Sequence, residues 1–379
     1  MEPSYKLKDL VLYFLKLGTI GFGGPVALVG YMHRDLVEKR KWIQEEDYKE
    51  GIALAQLAPG PLAAQLAIYL GYVHYRILGA TLVGLAFVLP SFLMVLALGF
   101  AYVRAGGLPW MQAVFYGIGA AVIGIIVISS YKLSKKSLGK NWLLWGIAIV
   151  LAITTFITEK EILWLILAAG VIVWFYKAPP KFKTTNVIFL APFLLQITAG
   201  ISANERLTQI GWFFFKAGAF VFGSGLAIVP FLYGGVVKEY QWLNEQQFLD
   251  AVAVALITPG PVVITVGFIG YLVAGVQGAC IAALATFLPC YLFTILPAPY
   301  FKKYGKLPAI KAFVDGVTAA AIGAIAGAVL VLGKRQITDI PSAIIAILTI
   351  ALLLRFKKIQ EPLIIIGAAI VGLIIRYFN

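Results

Sequence analysis

The sequence has few charged residues, only two cysteines and only two histidines. Charged residues account for 13% of its 379 residues, whereas hydrophobic residues account for 61%. Cys280 and Cys290 match no metal-binding or redox motif, so we interpret both as packing residues. The histidines form no metal-ligand pattern, and the chain lacks a nucleotide-binding loop, a cofactor motif and a paired-carboxylate site. These absences argue against an enzyme, and we predict neither a metal nor a cofactor.

Long hydrophobic runs dominate the chain instead. The mean hydropathy is +0.91, and many apolar runs reach the roughly 20 residues that an α-helix needs to cross a bilayer. The formal net charge is +14, and Lys and Arg are concentrated in short loops between the runs. This distribution is typical of positive-inside topology, so we expect a lipid bilayer and no nucleic acid as partner. We predict an all-α polytopic membrane protein.

The second half of the sequence repeats the first. The stretch FLKLGTIGFGGP, residues 14–25, has its counterpart about 200 residues later in FFKAGAFVFGSG, residues 214–225. A Pro-Gly-Pro triplet occurs at residues 59–61 and again at residues 259–261. Repeats on this scale in a membrane protein indicate two pseudo-symmetric halves.

Loop charges indicate that the two halves are inverted. His33–Glu50 is rich in Lys and Arg, whereas its counterpart Tyr233–Asp250 carries only Lys238. The following loop reverses the difference, because Arg104 stands alone where the second half has a lysine cluster at residues 302–311. Since basic loops favour the cytoplasmic side, equivalent loops are expected on opposite sides of the membrane.

These observations predict the domain organisation. We expect two inverted repeats of five transmembrane helices, each with a re-entrant Pro-Gly-Pro helical hairpin, and both termini outside the cell. The first span is expected over Leu7–Met32, with a break at its glycines. The repeats correspond to residues 1–178 and 205–379, and the linker 179–204 contains an apolar segment, Val187–Ile201, that we expect at the membrane interface.

One lysine lies inside an apolar run in each half. Lys16 and Lys216 occupy equivalent positions ahead of a glycine-rich break. A charge in hydrocarbon is costly and marks a functional site by default, although a lysine can also extend its ammonium group to the interface. Two cations at equivalent positions suit a doubly charged oxyanion. We therefore predict an anion site near the membrane centre, between the halves.

The Pro-Gly-Pro triplets predict broken helices. Proline ends one half-helix and suits the first position of the next, which would direct free N–H groups and a positive dipole end at the membrane centre. The alternatives are a simple kink, close packing at the glycines and backbone hydrogen bonds for flanking polar groups. The candidate substrate-binding residues are Lys16, Lys216, Gly23, Gly24, Gly223, Ser224, Gly225, Pro59, Gly60, Pro61, Pro259, Gly260, Pro261, Gln56, Gln65, Thr258 and Thr265.

Several motifs resemble those of the chromate ion transporter family: FLKLGTIGFGGP, KRKWIQEEDY, LAQLAPGPLAAQLAIYLGY and LVGLAFVLPSFL. In the second half, GAFVFGSGLAIVPFL and ALITPGPVVITVGFIGY resemble the second repeat of that family. The resemblance covers nearly the whole chain and implies the long, two-domain form. It implies an inner-membrane carrier that exports chromate in exchange for protons, confers chromate resistance and has sulfate as a close analogue. It gives functional weight to Lys16, Gly23, Gly24, Pro25 and the 59–61 triplet.

The residues alone lead to a secondary active transporter of a divalent tetrahedral oxyanion. Chromate or a sulfate-like oxyanion and protons are the expected small partners, a homodimer is a candidate assembly, and Asp315 is a candidate for proton coupling. The alternatives are a carrier that takes up sulfate or another oxyanion, a channel, and a membrane-embedded enzyme such as a chromate reductase or a lipid head-group transferase.

Overall fold

The computed structural model describes residues 5–21, 24–105, 109–158, 163–179, 205–220, 222–223, 228–304, 307–356, 359 and 361–378. Almost all of these residues are helical, which confirms the predicted α-helical class. The expected interfacial segment Val187–Ile201 lies outside the described residues.

The described residues of the first half form seven α-helices and one very short strand. The helices are α1 (Leu7–Ile20), α2 (Gly24–Met32), α3 (Glu45–Leu57), α4 (Leu62–Ala105), α5 (Pro109–Leu138), α6 (Trp142–Thr158) and α7 (Leu163–Lys177). A π-helical turn, His33–Lys39, extends α2, and strand β1 is Gly60–Pro61.

The second half repeats this order. Its helices are α8 (Glu205–Phe220), α9 (Ile228–Leu232), α10 (Glu245–Ile257), α11 (Thr265–Ile295), α12 (Ala298–Tyr304), α13 (Pro308–Gln336), α14 (Ile340–Arg355) and α15 (Glu361–Phe378). Strand β2 is Phe222–Gly223, a π-helical turn, Tyr233–Glu239, follows α9, and a 3₁₀ turn, Val262–Ile264, precedes α11.

Helices α1 and α2 fold back on each other. The Tyr13 hydroxyl donates a hydrogen bond to the Tyr31 carbonyl at 3.3 Å, although one continuous helix would separate these residues by about 27 Å. The chain reverses after Gly21, whose extended backbone (φ −80°, ψ 98°) ends α1. Leu7–Met32 is therefore a hairpin and not the single broken span that the sequence predicted. Glycine permits a reversal as readily as a kink.

A second reversal follows at the first triplet. Gly51 of α3 packs against Leu66 and Tyr69 of α4, on the other side of the triplet. Helix α4 then turns sharply at Arg76 (φ 52°, ψ −141°). Its short arm, residues 62–75, and its long arm, residues 77–105, therefore run in opposite directions.

The second half makes the same reversals. The rings of Phe213 and Phe231 stack at 5.3 Å, and α11 turns at Ala274 and Gly275. Among the described residues, the two hairpins of each half are followed by further helical segments. These are the long arm of α4, α5, α6 and α7 in the first half, and the long arm of α11, the short α12, α13, α14 and α15 in the second. The sequence predicted five spans and one hairpin in each half. In the structure, the first predicted span of each half is instead folded into a second hairpin.

The long arms of α4 and α11 run antiparallel. Thr81 hydrogen-bonds to Tyr291 at 2.6 Å, whereas Gly99, near the other end of α4, packs against Tyr271 in the short arm of α11. By length and composition, the described residues contain four helices able to span a membrane, at 62–104, 113–132, 262–301 and 308–334, and four shorter apolar helices, at 142–158, 164–177, 340–355 and 362–375.

The amino-terminal end lies beside the basic loop of the first half. The Tyr5 ring stacks on Trp42 at 4.8 Å, and the Tyr5 hydroxyl hydrogen-bonds to His74 Nδ1 at 2.7 Å. We call this end of the molecule the basic face, and the end where Tyr102 meets Asp250 the opposite face. The amino terminus was expected to lie across the membrane from the basic loop, so that expectation was wrong.

Candidate functional site

The four chain reversals meet at one place, with the two halves paired crosswise. Strand β1 pairs in parallel with β2, so that Gly60 lies opposite Phe222 and Pro61 opposite Gly223. The Gly260 N–H donates a hydrogen bond to the Gly21 carbonyl at 2.9 Å. Each Pro-Gly-Pro triplet therefore contacts the glycine break of the other half. We call this meeting point the central crossing.

Glycine is required at the middle of both triplets. Gly60 has φ +140° and Gly260 has φ +96°, conformations that other residues rarely adopt. A Cβ atom on Gly260 would lie 1.9 Å from Ser91 Oγ, and one on Gly60 would lie 2.7 Å from Gln65 Nε2. Cys290, the counterpart of Ser91, packs beside Gly60. The crossing has no space for a side chain at either position.

Two helices of the first half begin beside this crossing. Helix α4 begins at Leu62 directly after β1, and α2 begins at Gly24 after the first glycine break. The first N–H groups of a helix have no partner within it and carry the positive end of the dipole. An anion at the crossing would meet backbone amides where side chains cannot fit.

The polar residues beside the triplets bond mainly to backbone carbonyls. Gln65 is fully buried, and its Nε2 donates to the Pro59 carbonyl at 2.8 Å. Thr265 donates to Val262 at 2.9 Å and Thr258 to Val254 at 3.1 Å, which matches the backbone-bonding alternative. Gln65 Oε1 is buried without a hydrogen-bond partner among the described residues, so it offers a free acceptor next to the crossing. Gln56 is exposed.

Lys16 lies in a groove that opens at the basic face. This groove of about 280 Å³ is lined by Tyr13, Lys16, Leu17, Ile20, Gly21, Tyr31, Arg34, Asp35 and Arg40. The Arg40 guanidinium lies over the ring of Trp42 at 4.5 Å and over that of Tyr13 at 5.4 Å. These contacts hold a cation at the wall of the groove. We call this site the basic groove.

One carboxylate offsets part of the positive charge of the basic groove. Asp35 accepts a hydrogen bond from Arg34 Nε at 3.0 Å. Partial burial works to raise the pKa of Asp35, but the hydrogen bond and charge of Arg34, together with Lys39, outweigh it, and the pKa lies below its usual value. Asp35 is therefore ionised at neutral pH and offsets part of the charge of Arg34.

Lys216 has different surroundings. Its Nζ lies 5.8 Å from the ring centroid of Trp212, one helical turn farther from the crossing. The counterparts of Tyr13, Tyr31, Arg34, Asp35 and Arg40 are Phe213, Phe231, Gly234, Gly235 and Tyr240. Phe213 packs against Phe231 at 5.3 Å and Tyr240 at 5.6 Å. We call this region the aromatic counterpart.

The two lysines have different neighbours. Lys16 lines the groove at the basic face, whereas Lys216 on α8 lies beside Trp212. A shared anion site of the two lysines stays a prediction. Of the other candidate residues, Gly24 begins α2 and Gly223 lies in β2. Gly23, Ser224 and Gly225 lie outside the described residues.

Asp315 lies away from the central crossing. Its carboxylate pairs with Lys177 Nζ at 2.8 Å, and both side chains are 31% exposed. Sequence reasoning also missed some roles. Ser91 was not singled out, and Cys290 was interpreted only as a packing residue. Arg34 and Arg40 were counted only as loop charges, and Gly21 was interpreted as part of a break within one span. The positions of Ser91 and Cys290 in the repeat could have identified the first pair.

The inverted arms and the central crossing define a polytopic membrane transport protein. The model of the chromate transporter family matches residues 8–174 and 208–373. The chain belongs to this family, and the resemblance inferred from its motifs is confirmed.

Individual relatives agree with this assignment. The chain is 72% identical to the chromate transport protein of Cupriavidus metallidurans over 98% of its length and 94% of the relative. It is 62% identical to a probable chromate transport protein of Synechococcus elongatus, over 99% and 97% of the two chains. The uncharacterized transporter YwrA of Bacillus subtilis is 30% identical over 43% of this chain and 94% of its own length, so one half corresponds to a separate protein there. No solved structure matches the chain.

Proposed function

We propose that the protein is a secondary active transporter that exports chromate across the bacterial inner membrane and so confers chromate resistance. The observation that carries this proposal is the crosswise pairing of the four chain reversals. Broken helices of inverted halves that meet at midplane are the usual substrate site of such carriers. The names of the relatives at 72% and 62% identity supply the substrate.

The substrate site is the central crossing. Backbone amides at the starts of α2 and α4 and the positive ends of their dipoles suit the oxygens of a tetrahedral dianion. The backbone of Gly60 and Gly260 forms the walls, and the remaining residues of the two triplets and glycine breaks shape them. Gln65 Oε1 accepts a hydrogen bond from a water that remains with the ion.

The two halves are inverted, and their hairpins re-enter the membrane from opposite faces. The basic face is cytoplasmic, because Lys and Arg favour that side. The basic groove is then the cytoplasmic approach to the crossing, with Lys16 nearest to it. Lys216 serves the approach from the opposite face. Proton movement in exchange for the anion supplies the driving force.

Purified protein in liposomes tests the proposal. We expect an imposed pH gradient to drive radiolabelled chromate uptake well above that of protein-free liposomes, with sulfate as a competitor because it is also a tetrahedral dianion. Perchlorate, a tetrahedral anion that carries a single charge at every working pH, is the matched comparison and should compete less. Chromate flux equal to that of empty liposomes would contradict the function, and equal competition by both anions would contradict the dianion site.

A further inference from the structure

Asp250 is a buried carboxyl group with no cationic partner among the described residues. It lies in α10 with 3% of its surface exposed. Tyr102 Oη donates a hydrogen bond to Oδ2 at 2.7 Å, and Gln246 Nε2 donates to Oδ1 at 2.8 Å. Both donors are neutral, so they stabilise an ionised carboxylate without supplying a countercharge.

Among the described residues, the elements packed around α10 supply no countercharge to Asp250. From α4 it faces Tyr102, whereas the Arg104 guanidinium lies over the ring of Phe100 at 4.1 Å. Tyr116 of α5 donates to Asp339. The π-helical turn after α9 carries Lys238, which lies 3.9 Å from Glu245, and Glu239. Tyr271 is the titratable group of the short arm of α11, and residues 362–375 of α15 include none. An acid buried in a membrane protein without a cation is a characteristic site for proton binding.

The equivalent residue in the first half has a different environment. Glu50 is only half-buried and bonds to Tyr69 of its own half. The counterpart of Tyr69 is Phe268, which has no hydroxyl group. Asp250 instead receives its hydroxyl donor from the other half, because Tyr102 belongs to the long arm of α4. The ring of Tyr102 is itself packed against Phe268 at 5.5 Å.

The Tyr102–Asp250 hydrogen bond therefore spans the two halves at the opposite face. An ionised carboxylate needs both of its donors, since a buried charge without them is costly. A protonated carboxyl group is neutral and can lose the Tyr102 bond at much smaller cost. The protonation state of this one group thus controls how easily the α4 long arm and α10 can separate.

We infer that Asp250 binds the transported proton and that its protonation releases the contact between the halves at the opposite face. This inference rests on the proposed function and adds the residue through which the proton acts. Asp315, the sequence candidate for this role, has a cationic partner in Lys177 at 2.8 Å. The pair joins α7 of the first half to α13 of the second and involves neither of the hairpins that form the central crossing.

The variant Asp250→Asn tests the inference in liposomes with two readouts. Chromate uptake driven by a pH gradient should fall at least about tenfold, because the proton-binding group is gone. Exchange of labelled for unlabelled chromate, which needs no net proton movement, should persist. Glu50→Gln is the matched control and should retain both activities. Retention of gradient-driven uptake by Asp250→Asn, or loss of exchange in parallel with uptake, would overturn the inference.

Tyr102→Phe provides a second test if Asp250→Asn does not fold. Removal of a hydrogen bond to the ionised carboxylate favours its protonated form. The pH at half-maximal uptake should therefore rise, while the maximal rate of exchange stays unchanged. An unchanged pH midpoint would overturn the inference, as would loss of coupling in Asp315→Asn with coupling intact in Asp250→Asn. Absence of chromate flux in the wild type would instead contradict the proposed function itself.

Discussion

The basic groove and the aromatic counterpart occupy equivalent positions in the two halves but differ in charge. The groove carries Lys16, Arg34 and Arg40 around one carboxylate, whereas the counterpart keeps only Lys216 among aromatic rings and glycines. The rings also fill the space. A Cβ atom on Gly235, the counterpart of Asp35, would lie 2.0 Å from Phe213 Cε2.

This comparison separates what the repeat conserves in three dimensions from what it varies. The reversals, the glycine contacts and the antiparallel arms depend on backbone geometry and occur in both halves. The charges depend on side chains and differ. A symmetric crossing suits a site that must be reached from both faces, whereas unequal approaches favour anion capture at one face.

The largest effects should come from the crossing, which both halves share. Gly60→Ala and Gly260→Ala should each reduce chromate flux at least about tenfold, because a Cβ atom requires both a strained φ and a displaced neighbour. Gly30→Ala is the matched control, since nothing lies within 4 Å of a Cβ at that position. Flux per folded protein, measured after size-exclusion chromatography, checks the prediction. Full activity of Gly260→Ala would show that the crossing is not the substrate site.

Much of this architecture was predictable from the sequence. The repeat offset identified the two halves, the loop charges indicated their inversion, and the proline triplets indicated a reversal of the chain at Gly60. The repeat and the reversal could be inferred because each rests on local properties such as repeated sequence or the missing proline donor, whereas the inversion stays a prediction. The residues that form the triplets were likewise visible as candidates.

The remaining features depend on tertiary contacts. Leu7–Met32 has the length of one span, so hydropathy could not distinguish a kink at Gly21 from the reversal that brings Tyr13 to Tyr31. The crosswise pairing of Gly60 with Phe222 depends on how the halves dock. Asp250 was only weakly indicated by the sequence, through the acidic residue Glu50 at the equivalent position. The burial of Asp250 could not be predicted, because it depends on Tyr102 from the other half.

A smaller and side-specific effect should come from the two lysines. Lys16→Gln should raise the KM for chromate presented at the basic face about fivefold, the order of one charge interaction near 4 Å in water. Lys216→Gln should raise the KM only for chromate presented at the opposite face. Inside-out and right-side-out vesicles measure the two constants separately. Equal effects of both substitutions at one face would instead support the paired-lysine site that the sequence predicts.

The smallest effect should come from Asp35. Its removal makes the basic groove more positive and so increases the difference in charge from the aromatic counterpart. Asp35→Asn should lower the KM at the basic face about twofold to threefold, as one partly screened charge is removed. The pKa of Asp35 lies below its usual value because the charge and hydrogen bond of Arg34 and the charge of Lys39 outweigh partial burial. The carboxylate therefore stays ionised at neutral pH, and the difference from the wild type should be constant there. This difference in KM should vanish only as acid protonates Asp35 in the wild type.

Glu38→Gln, an exposed change on the same turn, is the control. An equal decrease in its KM would attribute the effect to net charge alone.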